Sequence, residues 1–410
     1  MQPEEIRRIL RAAAGRPRHR WGQHFMVDQK ILQEIVATAE LSPADIVLEV
    51  GPGPGNLTAL LAAKAGAVLA VDIDKKLLPA AARHWRGLTN VRWLCADVLA
   101  GKHLINPVVI QALPSLAQPI GISDGDRHIK LVANLPYNIT SPLVAELLLR
   151  HWQTRRAALL RPSPKPEDGP AATNHGTPDD SVTGDYGCGR TAAEGGGSTF
   201  SCAEGGGSTF LGSAGAPWHW SGCLEQSAPA ADAKRSESNA ALKLVLTRLV
   251  FTVQWEVAQR MRAAPGTSDY GALGAFLQLL AHVRIVRSIA PGSFWPPPKV
   301  RSALVVIEPD EEKVAQVADA PHLQRTLAIL FAHRRQNLAN AIHHGFPSAS
   351  PSEVRRLLAP AGFTSQERVQ EITPRQFLRL AQTLQNLVPS MAHGLHGMRP
   401  DFLANAGPPR

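Results

Sequence analysis

The chain has 410 residues, 43 Lys+Arg against 34 Asp+Glu, a formal net charge of +9 and a sequence pI near 9.7, a balance that suits a polyanionic partner without naming it. No apolar run is long enough to span a bilayer and there is no secretory core segment, so no membrane span is predicted. Cys95, Cys188, Cys202 and Cys223 form no Cys-x-x-Cys pair, which predicts neither a metal site nor a disulfide framework and fits a reducing, cytoplasmic setting.

Residues 1–21 carry Arg7, Arg8, Arg11, Arg16, Arg18 and Arg20 and read as a basic N-terminal arm, partly helical, for RNA contact. Glu4 and Glu5 argue against a transit peptide. An amphipathic segment follows at 28–39. Asp45 to Thr58 (Asp-Ile-Val-Leu-Glu-Val-Gly-Pro-Gly-Pro-Gly-Asn-Leu-Thr) then reads as a strand over 46–50, a glycine loop and a helix over 56–65, the first crossover of a doubly wound sheet. Gly51 and Gly53 let backbone approach a ligand closely. Asn56 stands where a dinucleotide fold needs its third glycine, so a nicotinamide cofactor fits poorly. Glu49, just ahead of the loop, is instead the pattern of S-adenosylmethionine enzymes. The strand over 68–72 ends in Asp72, placed to accept from ribose hydroxyls, and a helix is predicted over 75–84. The strand over 91–95 leads to Asp97, placed to accept from adenine N6. Either acid alone reads equally as a strand-end or helix-capping carboxylate; in chain order at successive strand ends, the two together point to a nucleoside.

After a Pro-interrupted connection over 101–129, Lys130 to Ala133 is a short buried strand that runs into Asn134-Leu-Pro-Tyr137. Pro136 fixes its own φ and biases Leu135 toward extended backbone, making a stiff corner with an amide, a carbonyl and an aromatic ring. The exocyclic amine of a flipped base needs two acceptors and a stacking face, and this corner offers both. In isolation the same four residues would serve equally as a structural turn. A helix is predicted over 141–152.

The pattern then changes. Residues 161–240 are rich in Gly, Ser, Pro and Ala and repeat Ala193–Phe200 as Ala203–Phe210, a composition that reads as a flexible insertion. They hold five Lys+Arg against ten Asp+Glu, leaving 38 against 24 and a net +14 on the remainder. Regular structure resumes with a strand over 246–254, a helix over 255–263, a loop over 264–271, a helix over 272–279 and a strand over 282–290. Ser293-Phe-Trp-Pro-Pro-Pro-Lys299 and a strand over 300–307 follow. Residues 319–388 read as a small helical domain. Its helix over 322–343 sets Leu323, Leu327, Leu330, Leu338 and Ile342 on one face and Arg334 and Arg335 elsewhere. Residues 389–410 form a flexible tail.

Seven ordered motifs carry a family resemblance: Gly22-Gln-His-Phe-Met26, Glu49 to Gly55, Val71-Asp-Ile-Asp74, Ala96-Asp97, Asn134 to Asn138, Val253 to Arg260 and Phe294 to Val300. Over roughly Arg18–Trp152 and Leu246–Leu384 the chain resembles the small-subunit ribosomal RNA adenine dimethyltransferases. The resemblance implies an α/β, doubly wound, Rossmann-like S-adenosylmethionine methyltransferase sheet, with residues 22–160 and 241–310 as its two parts and 319–388 as an RNA-contacting helical domain. It implies N6,N6-dimethylation of adjacent adenines near the 3′ end of small-subunit rRNA in a pre-ribosomal particle, by a cytoplasmic monomer. In site terms it implies that Gln23, His24 and Met26 form a flap over S-adenosylmethionine. Gly51 and Gly53 would face its methionine, Asp72 its ribose and Asp97 its adenine. Asn134 and the Leu135 carbonyl would hold the target N6, with Tyr137 and Phe294 stacking on the base. Arg334, Arg335 and Lys299 would contact RNA. Trp255 departs from the pattern, where relatives often carry Lys. Three readings stay open beside this one: a DNA adenine methyltransferase, a large-subunit rRNA adenine methyltransferase, and a non-catalytic ribosome-assembly or transcription factor on the same fold.

Overall fold

The computed structural model describes residues 3–13, 23–101, 104–116, 127–159, 244–346 and 349–385. The insertion over 161–240 and the tail over 389–410 lie outside them. The elements run α1 (Pro3–Ala12), β1 (Phe25–Met26), α2 (Gln29–Thr38), β2 (Ile46–Val50), α3 (Asn56–Ala62), β3 (Ala67–Asp72), α4 (Leu77–His84), β4 (Val91–Cys95), α5 (Pro107–Ala112), β5 (Arg127–Asn134) and α6 (Thr140–Leu159). After the insertion come β6 (Leu244–Gln254), α7 (Trp255–Arg262), α8 (Ala272–Leu280), β7 (Ala281–Ile289), β8 (Phe294–Trp295), β9 (Ser302–Pro309), α9 (Glu311–Gln316), α10 (Ala320–Ala332), α11 (Leu338–Gly345), α12 (Pro351–Leu358) and α13 (Pro374–Leu384).

Seven strands form one sheet in the order β4-β3-β2-β5-β6-β9-β7. The first five are parallel, and β9 and β7 close the edge antiparallel. Chain order proceeds outward from β2 to β3 and β4, then returns to the other side of β2 with β5. The crevice beyond the carboxyl ends of β2 and β5 is therefore a topological switch point, where ligands settle in open α/β sheets. Both strand ends carry candidate motifs: the glycine loop after Val50 and the Asn-Leu-Pro-Tyr corner from Asn134.

Alternation along the strands divides the core. Val47, Val68 and Val132 face α2, α3 and α4, whereas Ile46, Leu48, Leu69 and Leu131 face α5 to α8 and the helical region beyond. Being covered on both faces explains why the parallel strands read as continuous apolar runs. The helix expected over 322–343 is in fact two. Asn337 accepts from the Asn340 amide at 2.9 Å and caps a new helix, α11, while the Leu338 amide turns to the Glu367 carbonyl. Arg334 and Arg335 therefore sit in the turn between α10 and α11. Within the expected basic arm, α1 buries Ile6, Ile9 and Leu10 against Phe25, Leu77 and Ala80, and the Arg7 guanidinium lies over the Trp295 ring. Among the described residues no helix is long and apolar enough to cross a membrane.

Candidate active site

The glycine loop is pressed between two other motifs. Gly51 and Gly53 have φ of +73° and +56°, which side chains with a Cβ rarely adopt. A Cβ on Gly51 would meet the Pro136 ring at 3.3 Å, and one on Gly53 would meet the Phe25 ring at 2.8 Å. The loop thus touches the Asn-Leu-Pro-Tyr corner on one side and the 23–26 flap on the other, leaving backbone as the only material that fits.

Two carboxylates lie beneath this loop. Glu49 on β2 is 1% exposed, and neither its Oε2 nor the Thr58 Oγ1 meets a protein partner in hydrogen-bond geometry. Burial pushes its carboxyl up to about 8; the adjacent Thr58 hydroxyl offsets part of this and the Asp72 charge adds to it. Asp72, at the end of β3, accepts from the Gly53 amide at 3.3 Å and the Asp74 amide at 2.9 Å. Burial lifts it to about 6 against those backbone bonds. Asp97 differs: it is exposed and its Oδ1 accepts from the Leu99 amide at 3.0 Å, leaving the rest of the carboxylate at the rim. An orphaned buried acid, a ribose-type acceptor and a loop of bare backbone fit an S-adenosyl cofactor. Among the described residues no cluster of three His, Cys, Asp or Glu is placed to hold a metal.

The target corner is held from three directions. Asn134 Nδ2 donates to the His24 carbonyl at 2.7 Å. A carbonyl only accepts, so this bond orients the amide with Oδ1 on the other side. There the buried Thr252 hydroxyl, opposite Asn134 on β6, donates to Oδ1. One lone pair of that oxygen remains for an incoming N–H. The Tyr137 phenol is tied to the Ser302 hydroxyl at 2.7 Å, and its half-buried ring stacks with His24 at 6.2 Å between centroids. Burial raises the phenol above its ordinary value, so it stays neutral at physiological pH. Leu135 turns its side chain into the core under α6. Phe294 is 3% exposed and packs with Met26, so the more open aromatic face at this corner belongs to Tyr137.

The flap is knitted to the same place. β1 pairs antiparallel with β8, Met26 opposite Phe294. Met26 sends its side chain into the core and its carbonyl accepts from Asn56 Nδ2. Gln23 Nε2 donates to Asp74 Oδ2 at 3.0 Å, and the His24 ring pairs through Nδ1 with the Pro296 carbonyl at 2.7 Å. Lys299 is exposed nearby. Farther along, a cavity of about 690 Å³ is lined by Ser141, Val257, Arg260, Arg334 and Arg335 among others. Arg334 there donates to the Ser268 carbonyl at 3.1 Å, while Arg335 is exposed. Sequence reasoning missed Thr252, Ser302, Asn56 and Asp74 as supports. The first two sit inside strands with nothing local to distinguish them from packing residues; Asn56 was noticed only as a missing glycine.

A family model described as ribosomal RNA adenine dimethylase matches residues 15–163 and 240–386, well over half of the chain. The chain belongs to the ribosomal RNA adenine dimethylase family. This dimethylase is similar to the ribosomal RNA small subunit methyltransferase A of Synechococcus sp. (strain RCC307), at 31% identity over 90% of this chain and 96% of that protein. The protein of the same name from Pelotomaculum thermopropionicum is 27% identical over 93% and 96%. A dimethyladenosine transferase structure from Plasmodium falciparum has a TM-score of 0.51 at 19% identity, covering 89% of the dimethylase and 98% of that chain, which shows the fold. The fold class, the enzyme class and S-adenosylmethionine as methyl donor stand as the motifs implied.

Proposed function

We propose that this dimethylase converts adjacent adenines near the 3′ end of small-subunit rRNA to N6,N6-dimethyladenine, acting as a cytoplasmic monomer on a pre-ribosomal particle. The relatives above are named for the small subunit and are covered over nearly their full length. Residues 22–160 and 241–310 are assigned to catalysis, 319–388 to RNA contact, and 161–240 to an insertion that chemistry does not need.

The observation that carries the reading is the held amide of Asn134. Adenine N6 is a poor nucleophile because its lone pair is delocalised into the ring. Acceptors on both N–H bonds, the Asn134 Oδ1 and the Leu135 carbonyl, favour a pyramidal nitrogen whose lone pair is free. His24 and Thr252 hold the amide before substrate arrives, so little reorganisation is left for the reaction. Tyr137 is assigned to stacking on the base, with Phe294, buried against Met26, reassigned from stacking to support of the flap. Gly51 and Gly53 are assigned to the methionine moiety, Asp72 to the ribose, Asp97 to the cofactor adenine, and Gln23, His24 and Met26 to the flap over the cofactor. Bound S-adenosylmethionine supplies an electrophilic methyl on a sulfonium. No general base is assigned: methyl transfer leaves N6 cationic and strongly acidic, and its extra proton is released to solvent.

The test is methyl transfer to purified small- and large-subunit particles, with modified positions mapped by primer extension. Dimethyladenine near the small-subunit 3′ end is expected. Modification confined to large-subunit RNA would replace this reading, and no transfer to either would favour an assembly factor.

A further inference from the structure

Arg301 differs from the arginines that carboxylates hold in place. Arg248 is paired with Glu308 at 2.7 Å and Glu40 at 2.6 Å, Arg287 with Glu34 at 2.8 Å, and Arg150 with Glu146 at 3.2 Å. Arg301 is exposed and has no carboxylate partner among the described residues; its guanidinium lies over the Trp255 ring, 5.6 Å from the centroid. Trp255 is half-buried and packs against the core face that carries α6 to α8. An indole under a guanidinium orders the side chain without consuming a single N–H, so all five donors stay available.

Its place in the fold gives those donors a target. The Arg301 carbonyl accepts from the Trp255 amide at 3.0 Å, one residue beyond the register pair Gln254 and Ser302. Ser302 is the residue that holds the Tyr137 hydroxyl. Arg301 therefore stands on the rim of the Asn134–Tyr137 corner. Val257, two residues beyond Trp255, and Ser141, four beyond Tyr137, line the cavity together with Arg260, Arg334 and Arg335.

We propose that Arg301, held across Trp255, binds the phosphodiester that flanks the target adenine. This rests on the RNA-methylating reading above. A base brought to N6 chemistry must leave its stack by rotation about its own backbone, which presents the adjoining phosphates at the mouth of the pocket. A planar guanidinium with unused donors suits a phosphate oxygen pair. Trp255, at a position where a lysine would place its own charge, instead positions the charge of Arg301.

The experiment uses the full chain and small-subunit rRNA, reading RNA affinity across a salt series, methyl-transfer kinetics and cofactor affinity. Arg301→Ala should lower the slope of log affinity against log salt by about one and raise the KM for RNA roughly tenfold. Turnover at saturating RNA and cofactor affinity should stay within a few-fold. Arg301→Lys should keep the salt slope, and Trp255→Leu, checked by melting and cofactor binding, should reproduce much of the rise in KM. Trp255→Lys should make the Arg301→Ala change nearly silent, because a lysine restores a charge at the same rim. An Arg301→Ala enzyme with the parental salt slope and KM would overturn the inference. Failure of the parent to methylate any rRNA would instead overturn the functional reading, and the salt slope of binding is measured independently of turnover.

Discussion

Asn134 donates from Nδ2 to the carbonyl oxygen of His24 at 2.7 Å, so the corner assigned to the target base and the flap assigned to the cofactor are one hydrogen-bonded unit. The bond that holds residues 23–26 against the corner also orients the Asn134 amide. Asn134→Ala should therefore lose methyl transfer at least a hundredfold in single turnovers at saturating cofactor and RNA, with cofactor affinity changed less. Thr252→Val removes the hydroxyl at constant volume and should lower the rate about tenfold, with Thr252→Ser restoring most of it. Parental turnover in Asn134→Ala would move the active site elsewhere.

Gly53 should not tolerate even a methyl group. Its φ of +56° costs alanine about 1 kcal/mol, and the new Cβ would stand 2.8 Å from the Phe25 ring, which anchors the flap. Gly53→Ala is expected to weaken S-adenosylmethionine binding at least tenfold by calorimetry. An unchanged Kd would mean that the flap and loop move independently.

Glu49 sets a pH dependence of the cofactor-free fold. Its folded pKa of about 8 lies above the ordinary 4.5, so the folded state binds the proton more tightly than the unfolded chain. That contribution is fully present below about pH 4.5 and is lost as pH rises toward 8. Asp72, lifted to about 6, acts in the same direction at lower pH, which leaves pH 6–8 to Glu49. Over that window the loss should be up to roughly 2 kcal/mol. Thermal melts should show the midpoint falling from pH 6 to 8, and Glu49→Gln should flatten the slope. A parental slope in that variant would exclude Glu49 as its source.

Arg334 and Arg335 line the basic cavity from the turn between α10 and α11. Replacing both by alanine should weaken rRNA binding and reduce the salt slope by up to about two. The Arg335 variant alone should account for at least half, because Arg334 already donates to Ser268. A double variant with the parental slope would remove both from the phosphate contacts.

Residues 161–240 join α6 to β6, and the entropy of closing a loop grows only logarithmically with its length. A short Gly/Ser linker in their place should leave cofactor affinity and methyl transfer within a few-fold. Loss of activity in a folded deletion variant would assign insert residues, Trp218 and Trp220 first, to the site.

The order of strand, glycine loop, Asp72, Asp97 and the Asn-Leu-Pro-Tyr corner was readable from residues alone, because each depends on neighbours in the chain: apolar runs for buried strands, glycine and proline for backbone angles, acids at strand ends. The break between α10 and α11 was not, since the leucine spacing continues across it and only the Asn337 cap interrupts the helix. The same holds for the supports of the site. Thr252 reaches Asn134, and Ser302 reaches Tyr137, across sequence separations of 118 and 165 residues. Phe25 lies against Gly53 only because β1 pairs with β8, nearly the whole length of the catalytic domain away. Such contacts are set by strand register and crossover packing, which no local pattern encodes, and so the chemistry-bearing residues could be read from the chain while the groups that hold them in place appeared only once it was folded.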